Sequence, residues 1–152
     1  MKRLFLVRHG NYNSEGLTDD GREQVTRLAE SIRPLAIGTS YVMSSPIKRA
    51  LQSAEIVARA LGIADIEQVP FFHQDEFYHR VPGHLEKAMQ IVTERAGMVD
   101  NLVVVAHLPL VEDFTPYFAK SSETPFEFYA TPRKGEGYCV DIEEKKTTRL
   151  PE

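Results

Sequence analysis

Few features of this 152-residue chain call for a covalent or membrane-based explanation. The one cysteine, Cys139, cannot form an internal disulfide; it lies in an apolar strand-like run, which reads as a buried thiol and fits a cytoplasmic protein. The apolar core of the opening "MKRLFLVRHG" is far too short for a signal peptide or a membrane span. Positive charge is not in excess: 18 basic against 22 acidic residues give a formal charge of -4, which argues against general binding to nucleic acid or to a membrane surface. No internal repeat, low-complexity tract or linker divides the chain, so residues 1–152 read as a single domain. A domain of this size buries roughly two thirds of its unfolded surface and needs no disulfide or structural metal.

The chain does contain alternating apolar patterns. Leu4–Val7, Tyr41–Met43, Ile66–Val69 and Leu102–Ala106 read as strands, and the last lacks polar alternation, as a strand covered on both faces should. A helix is predicted after Leu17, with Thr18 as N-cap, acids in its first turn and its end before Pro34. A second is predicted from "SSP", with Ser45 as cap, Pro46 at the first helical position and Gly62 as terminator. A third covers about Leu85–Ala96, and a fourth starts at Pro109. The tail segments "EFYA" and "GYCVDI" read as two antiparallel edge strands. Strands alternating with helices predict an α/β fold, a three-layer α/β/α sandwich with a mainly parallel central sheet and an antiparallel edge.

Ligands of such sheets gather beyond the carboxyl ends of the strands. There the first strand ends in Arg8-His9-Gly10, the second in Ser44-Ser45-Pro46 with Arg49 one turn later, and "LVVVA" in His107-Leu108-Pro109. Taken singly, His107 reads as a polar residue meeting solvent, Arg49 as a solvated helix residue and Arg8 as the partner of some acid. Their topologically equivalent positions, beside two helix N-termini, point instead to an anion site, most simply for a phosphoryl group.

These residues, with "LTDDG", "SSPIKRALQSA" and "VVAH" in order, resemble the histidine phosphatase superfamily, whose fold is that of the phosphoglycerate mutases. The compact size, "AHLPLVEDF" and "SETPFEFYAT" are more similar to the small SixA-like phosphohistidine phosphatases. The resemblance implies a metal-independent phosphatase without a cofactor. His9 would be the nucleophile, carrying the phosphoryl group as a phosphohistidine that water hydrolyses. Arg8, Arg49 and His107 would cradle the phosphoryl oxygens as catalytic partners. Gly10 would turn the backbone without crowding the phosphate. Repulsion from the arginines would keep His9 unprotonated, with its other ring nitrogen donating to a carbonyl. As an imidazole at the protein surface, His9 would add little to the core.

Ester-cleaving members place a carboxylic acid after the third strand to protonate the leaving group. Here "EFYH" brings His79 to that position, with Asp75 and Glu76 just before it. His79 or Glu76 serves as the donor, or none is needed because imidazole departs from a phosphohistidine more readily than an alkoxide. The same loop offers His73, Asp75, His79 and His84 as a loose metal set, with a spacing that matches no zinc pattern. Phe71, Phe72, Phe77 and Tyr78 read as loop packing rather than a base-stacking platform. The expected substrate is a phosphorylated protein of the histidine-phosphotransfer type. The alternatives are a small phosphorylated metabolite on the same site, or a catalytically idle phosphate-binding module; a mutase would need a lid for which the chain has no room.

Overall fold

A run without polar alternation is stable as a strand only if both of its faces are covered, and the two such runs here lie side by side in the middle of one sheet. A computed structural model describes residues 1–73, 82–128 and 130–152. In it β1 (Arg3–Arg8) pairs in parallel with β6 (Asn101–Ala106), Val7 standing opposite Val105. Between them in sequence come the short hairpin β2 (Tyr12–Asn13) and β3 (Gly16–Leu17), then β4 (Ser40–Ser44) and β5 (Ile66–Gln68). The sheet closes with β7 (Gly137–Asp141) and β8 (Lys146–Leu150), in the order β5-β4-β6-β1-β7-β8. The first four of these run parallel, and β7 and β8 are antiparallel to their neighbours.

Helices α1 (Asp19–Ile32) and α2 (Lys48–Ala60) pack on one face against Phe5, Val7, Val103 and Val105. On the other face α3 (His84–Ala96) and α4 (Leu108–Ser121) cover Leu4, Leu6, Leu102 and Val104. Alternate residues of β1 and β6 therefore serve two separate cores, as the two-residue period of a strand requires. The three-layer sandwich and its mainly parallel sheet are as expected. Cys139 is buried in β7, and burial pushes its thiol up to about 12.

Three local expectations differ from the structure. α2 begins at Lys48, with Ile47 as an N-cap that offers no side-chain hydrogen bond. Ser45 and Pro46 belong to the turn before it, because the Ser45 hydroxyl faces His107. The segment "EFYA" forms no strand among its described residues; Phe126 and Phe128 pack edge-on and tilted around the ring of Tyr138, and "KTTRL" occupies the sheet edge instead. Consequently β7, flanked by β1 and β8, is internal rather than an edge.

Candidate active site

The strand ends of β1, β6 and β4 are adjacent, so the residues that follow them, His9, His107 and Ser45, fall into one cluster. The topology also switches here: the helices after β1 and β4 lie on one face, those after β5 and β6 on the other. Backbone bonds hold the first strand end on several sides. Arg8 N–H donates to Glu136 O (2.8 Å), His9 N–H to Ala106 O (3.2 Å), and Gly135 N–H to His9 O (2.8 Å). Gly10 N–H donates to Ser53 Oγ (3.1 Å), and that hydroxyl donates to Arg49 O (2.7 Å), tying the segment to α2.

The Gly10 N–H is occupied by Ser53, and a Cβ there would lie 2.5 Å from Gly21 O and 2.8 Å from Val25 Cγ2. Close contact with α1 by itself requires the glycine.

His9 is buried, with 3% of its surface exposed, and so is not the surface imidazole expected. Its Nδ1 lies 2.9 Å from Gly10 O; a carbonyl only accepts, so Nδ1 carries the proton and Nε2 keeps its lone pair. Arg49 Nε–H donates to that Nε2 at 3.3 Å. Burial first, then the positive charges of Arg49, Arg8 and Lys134, lower the imidazole to about 4 against the opposing pull of the Gly10 carbonyl. Desolvation outweighs the like-charge repulsion anticipated as the cause.

His107 is 2% exposed, its ring centroid 5.2 Å from that of His9 and 5.5 Å from that of His73. Burial, with His9, Arg49, His73 and Arg8 adding to it, lowers it to about 3. Ser45 Oγ lies 2.8 Å from His107 Nε2 and accepts a bond from Ile47 N–H. The hydroxyl has one proton and two lone pairs, so it can donate to Nε2 or accept from it, and Nδ1 has no hydrogen-bond partner among the described residues.

Arg8, half-buried at the end of β1, donates through Nη1 to Pro132 O (3.2 Å) and adds its charge to both imidazoles. Two residues not anticipated from sequence complete the surroundings. Tyr12 stands edge-on to His9 with centroids 5.3 Å apart, and the Arg49 guanidinium lies 4.3 Å from its ring centre. Lys134 Nζ lies 4.9 Å from the same ring centre. Nothing in "GNYNS" marks Tyr12, and Lys134 is 123 positions away from its hydrogen-bond partner Asn11.

The proton-donor candidates Glu76 and His79, with Asp75, Phe77 and Tyr78, lie outside the described residues. Of the loose metal set, His73 stands beside His107, whereas His84 faces Asp113 Oδ2 at 3.7 Å. Among the described residues no cluster of three or more metal-ligating side chains occurs.

Residues 4–77 match the family model described as the histidine phosphatase superfamily (branch 1). Over 82 residues the chain is 28% identical to the mitochondrial serine/threonine-protein phosphatase Pgam5 of Drosophila grimshawi, which covers 48% of this chain but only 28% of that protein's length. The fold is similar to that of the protein histidine phosphatase SixA solved with tungstate, with a TM-score of 0.67, 22% identity and coverage of 97% and 93% of the two chains. It is also similar to the alpha-ribazole phosphatase of Shigella flexneri (TM-score 0.66, 18% identity, 96% and 93% covered). A mycobacterial glucosyl-3-phosphoglycerate phosphatase gives a TM-score of 0.68 at 13% identity, with 98% and 97% covered.

Proposed function

We propose that the chain is a member of the histidine phosphatase superfamily, whose model matches residues 4–77, and a metal-independent phosphatase working through phospho-His9. The observation that carries this reading is the state of His9: Nδ1 is pinned to Gly10 O, and Nε2, facing Arg49 Nε–H, stays unprotonated down to about pH 4. In the first step Nε2 attacks phosphorus and the bond to the leaving group breaks, placing the phosphoryl group on His9. In the second, water attacks phosphorus, the P–N bond breaks and orthophosphate leaves. The guanidinium of Arg49, already against Nε2, and that of Arg8 bind the charged equatorial oxygens. His107, in the tautomer that carries its proton on the unpartnered Nδ1, donates to another oxygen. Because these donors are held before substrate arrives, little reorganisation accompanies charge development.

The substrate class we favour is a phosphohistidine in a protein. SixA, a protein histidine phosphatase, shares the fold, and departure of an imidazole needs less acid help than departure of an alkoxide. A small phosphate ester is the second reading, supported by the names of the Shigella and mycobacterial neighbours.

Enzyme denatured in mid-turnover should carry acid-labile phosphate. His9→Ala and His9→Gln should carry none and turn over neither p-nitrophenyl phosphate nor a phosphorylated histidine-phosphotransfer domain. Since His9 is buried, circular dichroism of both variants shows that a loss of activity is not a loss of fold. Robust turnover by either folded variant overturns the mechanism. A higher kcat/KM for sugar phosphates than for the phosphotransfer domain overturns the substrate class alone.

A further inference from the structure

A cleft of about 660 Å3 opens beside the His9 site, lined among others by Arg8, Arg27, Arg133, Lys134 and Glu136. Its volume is in the range of small-molecule sites. Four cations against one carboxylate is far from the chain's overall balance, which carries a net charge of -4. Glu136 does little to neutralise them, because it accepts from Arg149 Nη2 at 3.0 Å and from the backbone N–H of Arg133 at 2.7 Å. No carboxylate among the described residues pairs with Arg27, Arg133 or Lys134.

The cleft wall is firmly held. Gly135 takes a left-handed conformation (φ 76°), and a Cβ there would lie 2.7 Å from Gln24 Cβ. The same turn is bonded to His9 O through Gly135 N–H and to Arg8 through Pro132 O. Lys134 stands at the junction: its ammonium lies over Tyr12, bonds Asn11 Oδ1 at 3.4 Å and adds its charge to His9. Arg8 borders both the cleft and the phosphoryl site.

We infer that this cleft binds a second anionic group of the substrate, held by Arg27, Arg133 and Lys134 while the phosphoryl group to be cleaved lies against His9. This rests on the phosphatase reading and deepens it. The ligand chemistry is a carboxylate or phosphate, supplied either by an acidic side chain flanking a phosphorylated residue or by the second phosphate of a small molecule. Electrostatic recognition of this kind is weakened by salt.

One arm of the test compares phosphotyrosine peptides flanked by Asp and Glu with the same peptides flanked by Asn and Gln. The other compares the bisphosphate of 1,3-propanediol with its monophosphate. A preference in kcat/KM for the more anionic member, about tenfold and shrinking with salt, is expected in at least one arm. It should collapse in Arg27→Gln/Arg133→Gln, both exposed positions. Preference confined to the peptide arm identifies an acidic protein flank as the source; preference confined to the other identifies a second phosphate. Equal rates in both arms, or a preference untouched by the double substitution, overturn the inference. Calorimetry of the same ligands with His9→Ala separates the two levels. Charge-selective binding without wild-type turnover leaves the cleft standing and removes the phosphatase reading; turnover without charge selection does the reverse.

Discussion

Helices α1 and α2 lie side by side on one face of the sheet, with 14 and 13 residues and similar apolar stripes, yet their N-termini are chemical opposites. α1 is capped by Thr18, whose Oγ1 accepts from Gly21 N–H at 3.0 Å, and has Asp19 and Asp20 in its first turn. α2 has no side-chain cap, no acid in its first turn, and Lys48 and Arg49 where the helix dipole is positive. Each misplaced cation costs roughly 0.3–1 kcal/mol. The Tyr12 ring beneath the Arg49 guanidinium offsets part of this. One helix start is built for folding. The other is left electrically unsatisfied, which suits an incoming dianion.

The strongest way to break this comparison is Arg49→Ala. It should lower kcat/KM by about 10²–10³-fold, the usual loss for a donor to developing negative charge, with little change in Tm because a cation leaves an unfavourable helix position. Steady-state kinetics beside thermal melts check it. A fall in stability with activity retained would reverse the roles assigned to the two ends.

Acid should sharpen the contrast, since protonating His9 sets a new cation against Arg49 of α2. The folded values of His9 and His107, about 4 and about 3, lie below the ordinary 6.5, so the unfolded chain binds more protons between them. Stability from this source is complete above about pH 6.5 and is lost as pH falls towards 4. For His9 alone the loss is roughly 3 kcal/mol. Urea titrations at pH 7 and pH 4 should show a smaller loss in His9→Asn than in the wild type, and an identical loss would contradict the burial argument. The acid limb of kcat/KM should likewise fall near pH 4 rather than 6.5.

The smallest effect belongs to the other helix. Thr18→Ala should cost about 1 kcal/mol of stability and leave kcat/KM unchanged. Loss of activity there would show that α1 takes part in the site.

How much of this was legible in the sequence depended on the range of the interaction. Arg8-His9, Arg49 and His107 could be found because each sits at a fixed offset from an apolar strand, and the strand rule needs no side-chain detail. Thr18 was legible for the same reason, its partner Gly21 being three residues away. Ser45 was misread as a cap: the local pattern fitted, but a buried imidazole 62 positions later competes for the hydroxyl. "EFYA" has strand composition, yet its Phe128, with the preceding Phe126, packs on the Tyr138 ring of β7, and propensity yields to that packing. The Gly10 contact with α1 and the Lys134–Tyr12 contact are set by tertiary approach alone.

The position of β1 in the middle of the sheet has a consequence for how the protein is made. Its two neighbours, β6 and β7, come from residues 101–106 and 137–141, and the bond to the His9 carbonyl comes from Gly135. A nascent chain therefore carries the His9 segment unorganised until residues 101–141, made well after it, have also left the ribosome. Until then Leu4–Val7 is an unpaired apolar strand, the kind of segment that seeks other chains. Assembly of the site and burial of that strand become the same late event, governed by long-range closure rather than by local helix formation.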